Sequence, residues 1–127
     1  MFRLFIFVVA TLTLSGCVEF DEPTAVDPTP ILGCFVAPDA PTLSFQRQGV
    51  RIAQSTKVLP FRYEQQKVGM VLRMPMVATV REGQFQIEGG DEHFYRVIWA
   101  EGRPFIMMVF GPRALVRYFE RKSMAPC

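Results

Sequence analysis

Few side chains in this 127-residue chain have the type and spacing that chemistry needs. Its single histidine, His93, lies close to Glu88, Asp91 and Glu92 in the run "EGGDEHF". Carboxylates so spaced are hard oxygen ligands that suit Ca2+ or Mg2+, while one histidine excludes a cage of several imidazoles. Gly-Gly-Asp-Glu is also the composition of a solvated hairpin turn, and that reading is preferred, so no metal and no cofactor are expected. Nucleophilic catalysis needs a nucleophile, a base and an orienting group. Ser44, Ser55 and Ser123 have no motif around them, and no Gly-x-Ser-x-Gly elbow is present. Glu82, Glu88, Asp91, Glu92 and Glu101 all fall in or beside expected turns, where charge is ordinary, so paired carboxylates for glycoside hydrolysis have no distinct signal. An enzyme is not expected.

Two patterns remain. Met70, Met74 and Met76 share one side of an alternating segment, with Met107 and Met108 further on. Thioethers bind Cu(I), but methionine also fills irregular cores, and the core reading is the stronger. In "HFYRVIWAEGR" and "RALVRYFERK" cations interleave with aromatics. With both read as strands, Arg96, Arg117 and Arg121 form a positive strip beside exposed aromatics, with Trp99 near it. Such a strip suits glycan stacking, an anionic partner or lipid headgroups; outward arginines that keep sheet edges soluble are the plainer explanation. Arg96, Trp99, Arg117 and Arg121 are therefore the candidate partner-binding residues.

The elements that must position them are mostly strands. "TLSFQR" and "VRI" alternate around the Gln48-Gly49 turn and read as a hairpin. "VLPFRY" alternates too, but Pro60 restricts it to an edge or a bulge. In "KVGMVLRMPM" the residues Val68, Met70, Leu72, Met74 and Met76 share a face, with Gly69 and Pro75 marking irregularity. "QFQIE", "HFYRVIWA", "PFIMMVF" and "ALVRYFERK" follow, separated by Gly89-Gly90-Asp91-Glu92, Glu101-Gly102 and Gly111-Pro112. Evenly spaced runs between Gly-containing turns describe an antiparallel meander. The expected fold is mainly β, about seven or eight strands closing into a small barrel or sandwich. Residues 113–122 also fit a short C-terminal helix, because Gly111-Pro112 can start one.

The N-terminus is of another kind. Arg3 is followed by the apolar block Leu4 to Leu14, about 11 residues, where a spanning helix needs about 20. Such a block fits the apolar region of a secretory signal. It ends in Leu14-Ser15-Gly16-Cys17, which resembles the lipobox of bacterial lipoprotein precursors. The resemblance covers the first 17 positions. It implies cleavage after Gly16, acylation of the Cys17 thiol and of the new amino terminus, and a mature chain held in a membrane. One acyl chain anchors only marginally and stable anchoring takes two signals; three chains suffice. Val18 follows the acceptor where an aspartate tends to retain enteric lipoproteins in the inner membrane, so the outer membrane, facing the periplasm, is expected.

With Cys17 committed to lipid, the resemblance leaves Cys34 and Cys127 as a pair in an oxidising compartment, where a disulfide is expected between them. Free or separately reacting thiols are the alternative. The organisation that follows is a cleaved signal over 1–16, a flexible tether rich in proline and acid over 17–31, and one β-rich domain over 32–127. A mature chain of about 111 residues supports one core. Removing Arg3 takes a formal charge of +2 to about +1, too little to steer the domain toward nucleic acid. The expected function is a non-enzymatic binding or assembly module, anchored through Cys17 and docking an envelope protein. The alternatives are a lipocalin-like carrier of a small apolar ligand and an inhibitor of a periplasmic lytic enzyme.

Overall fold

The computed structural model describes residues 23–127. Nine antiparallel strands form one sheet: β1 (Thr24–Ala25), β2 (Gly33–Val36), β3 (Leu43–Gln46), β4 (Gly49–Ile52), β5 (Arg62–Gln66), β6 (Gly69–Arg81), β7 (Gln84–Ala100), β8 (Arg103–Phe110) and β9 (Leu115–Ser123). Their spatial order is β1-β5-β6-β7-β8-β9-β2-β3-β4. The fold is therefore mainly β and antiparallel, curved into a half-barrel. It has nine strands, not seven or eight, and it does not close. Closure would require β1 to pair with β4, yet β1 is two residues long and is bracketed by Pro23, Pro28 and Pro30, which have no amide to donate. On the other edge β4 ends in a single bridge, Val50 to Leu59. Among the described residues, no helix is long and apolar enough to cross a membrane.

Side chains of period two line the concave side. Leu72, Met74 and Met76 of β6, Ile106, Met108 and Phe110 of β8, and Phe119 of β9 are fully buried, together with Phe35 and Phe45 from the far edge. Phe35 meets Phe45 edge-on, with ring centroids 5.4 Å apart, and Phe85 meets Phe110 at 4.9 Å. Met74, Met76 and Met108 are thus core, Met70 packs half-buried against them, and Met107 takes the opposite face. The C-terminal segment is strand and not helix. Ile106 pairs with Phe119 and Met107 with Tyr118, so the aromatics of β9 take alternate faces. The intervening turn closes through the Ala114 amide, which donates to the Gly111 carbonyl at 3.2 Å.

Gly89-Gly90-Asp91-Glu92 is not a turn between two strands; it lies inside the 17-residue β7. Met74 pairs with His93 and Met76 with Gly89, so three residues of β7 face Pro75 alone. The result is a bulge, and bulges bend a sheet. Pro75 is tolerated there because a bulge interrupts the ladder. A Cβ on Gly90 would come within 2.7 Å of a Val77 methyl, which explains the glycine. The Tyr95 hydroxyl donates to the Met76 carbonyl at 2.7 Å and pins the bend from inside. Burial pushes that phenol up to about 12.

The part of the expected tether that falls within the described residues is not free. Thr24 and Ala25 pair with Gln65 and Glu64 of β5, and the Val26 amide donates to the Tyr63 carbonyl at 2.8 Å. The chain then crosses the mouth of the half-barrel. Asp27 lies 3.6 Å from Arg47 in the β3–β4 turn. A 3₁₀ turn over Thr29–Ile31 follows, and Ile31 is fully buried in the core. Prolines keep such a segment extended, and an extended strand at a sheet edge can pair without giving up further freedom. One apolar side chain then fixes the crossing.

Candidate functional site

Cross-strand register decides which side chains share the convex face. Val71, Arg96, Met107 and Tyr118 form one row across β6, β7, β8 and β9, and Val109 pairs with Val116 alongside it. Four of the exposed apolar residues gather here. Phe94 is 54% exposed and Tyr118 53%, with Val109 and Val116 also open. Arg96, between Val71 and Met107 in the row, donates to the Val68 carbonyl at 3.4 Å. A depression of about 410 Å³ lies between Val77 and Thr79 of β6 and Phe94, Met107 and Val109. The Thr79 hydroxyl, buried beside it, has no hydrogen-bond partner among the described residues. A buried polar atom normally has one.

The candidate residues named from sequence are not brought together. Arg96 lies on the convex face. Arg117 pairs with Met108 and so takes the concave side, where its guanidinium covers the Phe85 ring at 4.3 Å. Arg121 shares the parity of Arg117 and donates to the carbonyls of Pro30 at 2.6 Å and Leu32 at 3.3 Å, clamping the crossing segment. Trp99 sits at the end of β7 and donates its indole N–H to the Tyr63 hydroxyl at 3.3 Å. A positive strip of Arg96, Arg117 and Arg121 therefore does not exist, because one residue of parity separates Arg96 from the other two. Cys34 and Cys127 are joined, with Cα atoms 4.8 Å apart. Cys17 and the lipobox lie outside the described residues.

Two of the acids around His93 turn to arginines. Glu92 pairs with Arg73 at 3.1 Å and Glu88 with Arg81 at 3.3 Å, while His93 Nδ1 lies 2.9 Å from the Asp91 carbonyl. Among the described residues, no group of three His, Cys, Asp or Glu side chains is placed to hold a metal.

One charged residue that sequence reasoning passed over is Glu64 in β5, fully buried although it points to the convex face. Arg73 reaches its carboxylate through Nε at 3.2 Å and Nη2 at 3.1 Å; Gln66 donates at 3.0 Å, and Arg62 lies at 3.1 Å. Arg73 also stacks on Phe94 at 4.6 Å, so the cluster adjoins the exposed apolar patch. Burial alone pushes the Glu64 carboxyl up. The hydrogen bonds from Arg73 and Gln66, with the charges of Arg73 and Arg62, outweigh it and hold the group below its ordinary value. A carboxyl depressed in the folded state stabilises fully above its unfolded value and loses that contribution as pH falls through its folded value. Stability should therefore decline as pH drops below about 4.5, the ordinary value. Denaturant titrations across pH 6 to 2 check this, and Glu64→Gln should flatten that limb. An unchanged limb in the variant would assign the acid sensitivity elsewhere.

A second cleft, also about 410 Å³, lies where the β6–β7 and β8–β9 turns meet, lined by Val80, Phe85, Phe110, Pro112 and Leu115 with Glu82 and Arg113 at its rim. Compared with protein-family models, with curated proteins and with solved structures, the chain matches none.

Proposed function

We propose that the protein is an envelope lipoprotein, held through an acylated Cys17 in the outer membrane and facing the periplasm, whose half-barrel is a non-enzymatic binding or assembly module. The convex face of β7, β8 and β9 is its docking surface for a protein partner. The observation that carries this reading is the clustering of Phe94, Val109, Val116 and Tyr118 around Met107 and Arg96 on one sheet face. Interface centres favour aromatics, methionine and arginine, and contiguous exposed apolar surface marks interaction sites.

A carrier of the lipocalin kind needs an empty interior, whereas here the inward side chains of β6, β8 and β9 fill it. The cleft at the hairpin tip is large enough for a small ligand and supports the carrier reading at that place only.

Site-specific photocrosslinking in cells tests the docking surface. Photoreactive phenylalanine analogues at Phe94 and Tyr118 are expected to give the same discrete protein adduct. The same analogue at Gln54, in an exposed turn away from the patch, should give none. Adducts that are equal at all three positions, or absent from both patch positions, would count against this surface.

A further inference from the structure

Where β1 joins the sheet limits how far the half-barrel can stand from Cys17. Thr24 lies opposite Gln65 in an antiparallel pair, so Pro23 enters beside Gln66 at the β5–β6 turn. Five residues, Val18 to Glu22, separate it from Cys17. Fully extended, that stretch reaches about 20 Å, half of what a free tether up to residue 31 would allow. The headgroup layer of a bilayer is itself several ångströms thick. So short a leash keeps one end of the half-barrel at the membrane surface and raises its effective concentration there.

Register shows which end that is. Gln66 pairs with Gly69 across the β5–β6 turn, Ala100 with Arg103 across the β7–β8 turn, and Gln46 with Gly49 across the β3–β4 turn; Cys34 pairs with Ser123. In an antiparallel sheet these all fall at the same end. The two most exposed large apolar side chains among the described residues are Met124 at 72% and Val68 at 61%, and both are there. Trp99, half-exposed and opposite Pro104, is at this end too. Lys122 flanks Met124 on an exposed position. Apolar tips, an amphipathic indole and lysines are the residues that settle at a membrane–water interface. The leash carries acids at Glu19, Asp21 and Glu22, so Lys122 and not the leash must meet phosphate.

We infer that this end of the half-barrel docks on the phospholipid surface to which Cys17 is anchored, with Val68, Trp99 and Met124 entering the headgroup layer and Lys122 meeting anionic phosphate. The inference rests on the lipoprotein reading. It turns the convex patch of β7–β9 sideways along the membrane, open to a periplasmic partner.

Trp99 is the only tryptophan and reports directly. The mature protein, purified from membranes, is reconstituted into phosphatidylethanolamine–phosphatidylglycerol vesicles with and without bromine on the acyl chains. Bromolipid is expected to quench Trp99 emission at least by half. Moving the probe to the turn, with Val68→Trp in a Trp99→Phe background, should deepen the quenching. Val68→Asp with Lys122→Glu should largely abolish it while the far-ultraviolet dichroism stays unchanged. Equal emission in brominated and plain vesicles, for both probe positions, would overturn the docking. The intact mass of the same sample separates the two failures: an acylated chain without quenching sinks this orientation alone, and an unacylated chain sinks the anchor and the orientation with it.

Discussion

Replacing Cys34 and Cys127 together with alanine is expected to remove about 4 to 5 kcal/mol of folding stability. The two residues are 93 apart in sequence, and closing a loop of that length withdraws roughly this much entropy from the unfolded chain. The bridge also has local work to do. Cys34 lies in β2 between β3 and β9, and the bridge ties the segment that follows β9 to it. Gly33, the residue before Cys34, has φ +135, and a Cβ on it would stand 2.2 Å from the Ser123 carbonyl. The backbones there are already as close as they can come, and the disulfide locks that approach. A domain of this size loses about 4–8 °C of midpoint per kcal/mol, so thermal melts of the double variant should fall by roughly 20 °C or more. A loss under about 1 kcal/mol would mean that β2–β9 pairing alone holds the terminus, in the range of an ordinary surface substitution.

Arg73→Met carries the second large effect, a loss of about 3 to 5 kcal/mol, which is what stranding a buried charge costs. Arg73 supplies two of the three close guanidinium contacts to Glu64, bridges to Glu92 on the bulged strand and covers Phe94. Without it the buried carboxylate keeps only Gln66 and the more exposed Arg62. The origin of the loss is checkable by a compensating change. Glu64→Leu combined with Arg73→Met removes both charges and should recover most of the stability, since apolar pairs often replace buried ion pairs at little loss. Equal destabilisation in the single and double variants would locate the effect in packing on Phe94. Urea titrations of the three proteins at pH 7 decide between them.

Period-two alternation made the strands legible wherever one face is apolar and the other is not. "KVGMVLRMPM" became β6 with Leu72, Met74 and Met76 inward, and "PFIMMVF" became β8. The bulge in β7 was not legible, because glycine, aspartate and glutamate have the same composition whether they reverse the chain or bend it. Only the pairing of Met76 with Gly89 distinguishes the two. The docked segment before β2 was hidden for a related reason: prolines that forbid a central strand still permit an edge one.

Site residues were harder, since a shared face depends on register between strands. Arg96 and Arg117 each alternate with aromatics, and nothing within either strand reveals that Tyr118, not Arg117, is the residue aligned with Arg96. Glu64 had a faint signal in "RYEQQ", an acid two residues after an arginine in an alternating run. Its burial needs Arg73 from the next strand, which the β5–β6 pairing supplies.

The intact mass of the mature protein recovered from membranes bears most directly on the anchor proposed at Cys17, on which location, leash length and orientation all rest. A chain that begins at Cys17 and exceeds its polypeptide mass by fatty acyl groups is the expected result. A chain that begins elsewhere, or that weighs only its polypeptide, would contradict it.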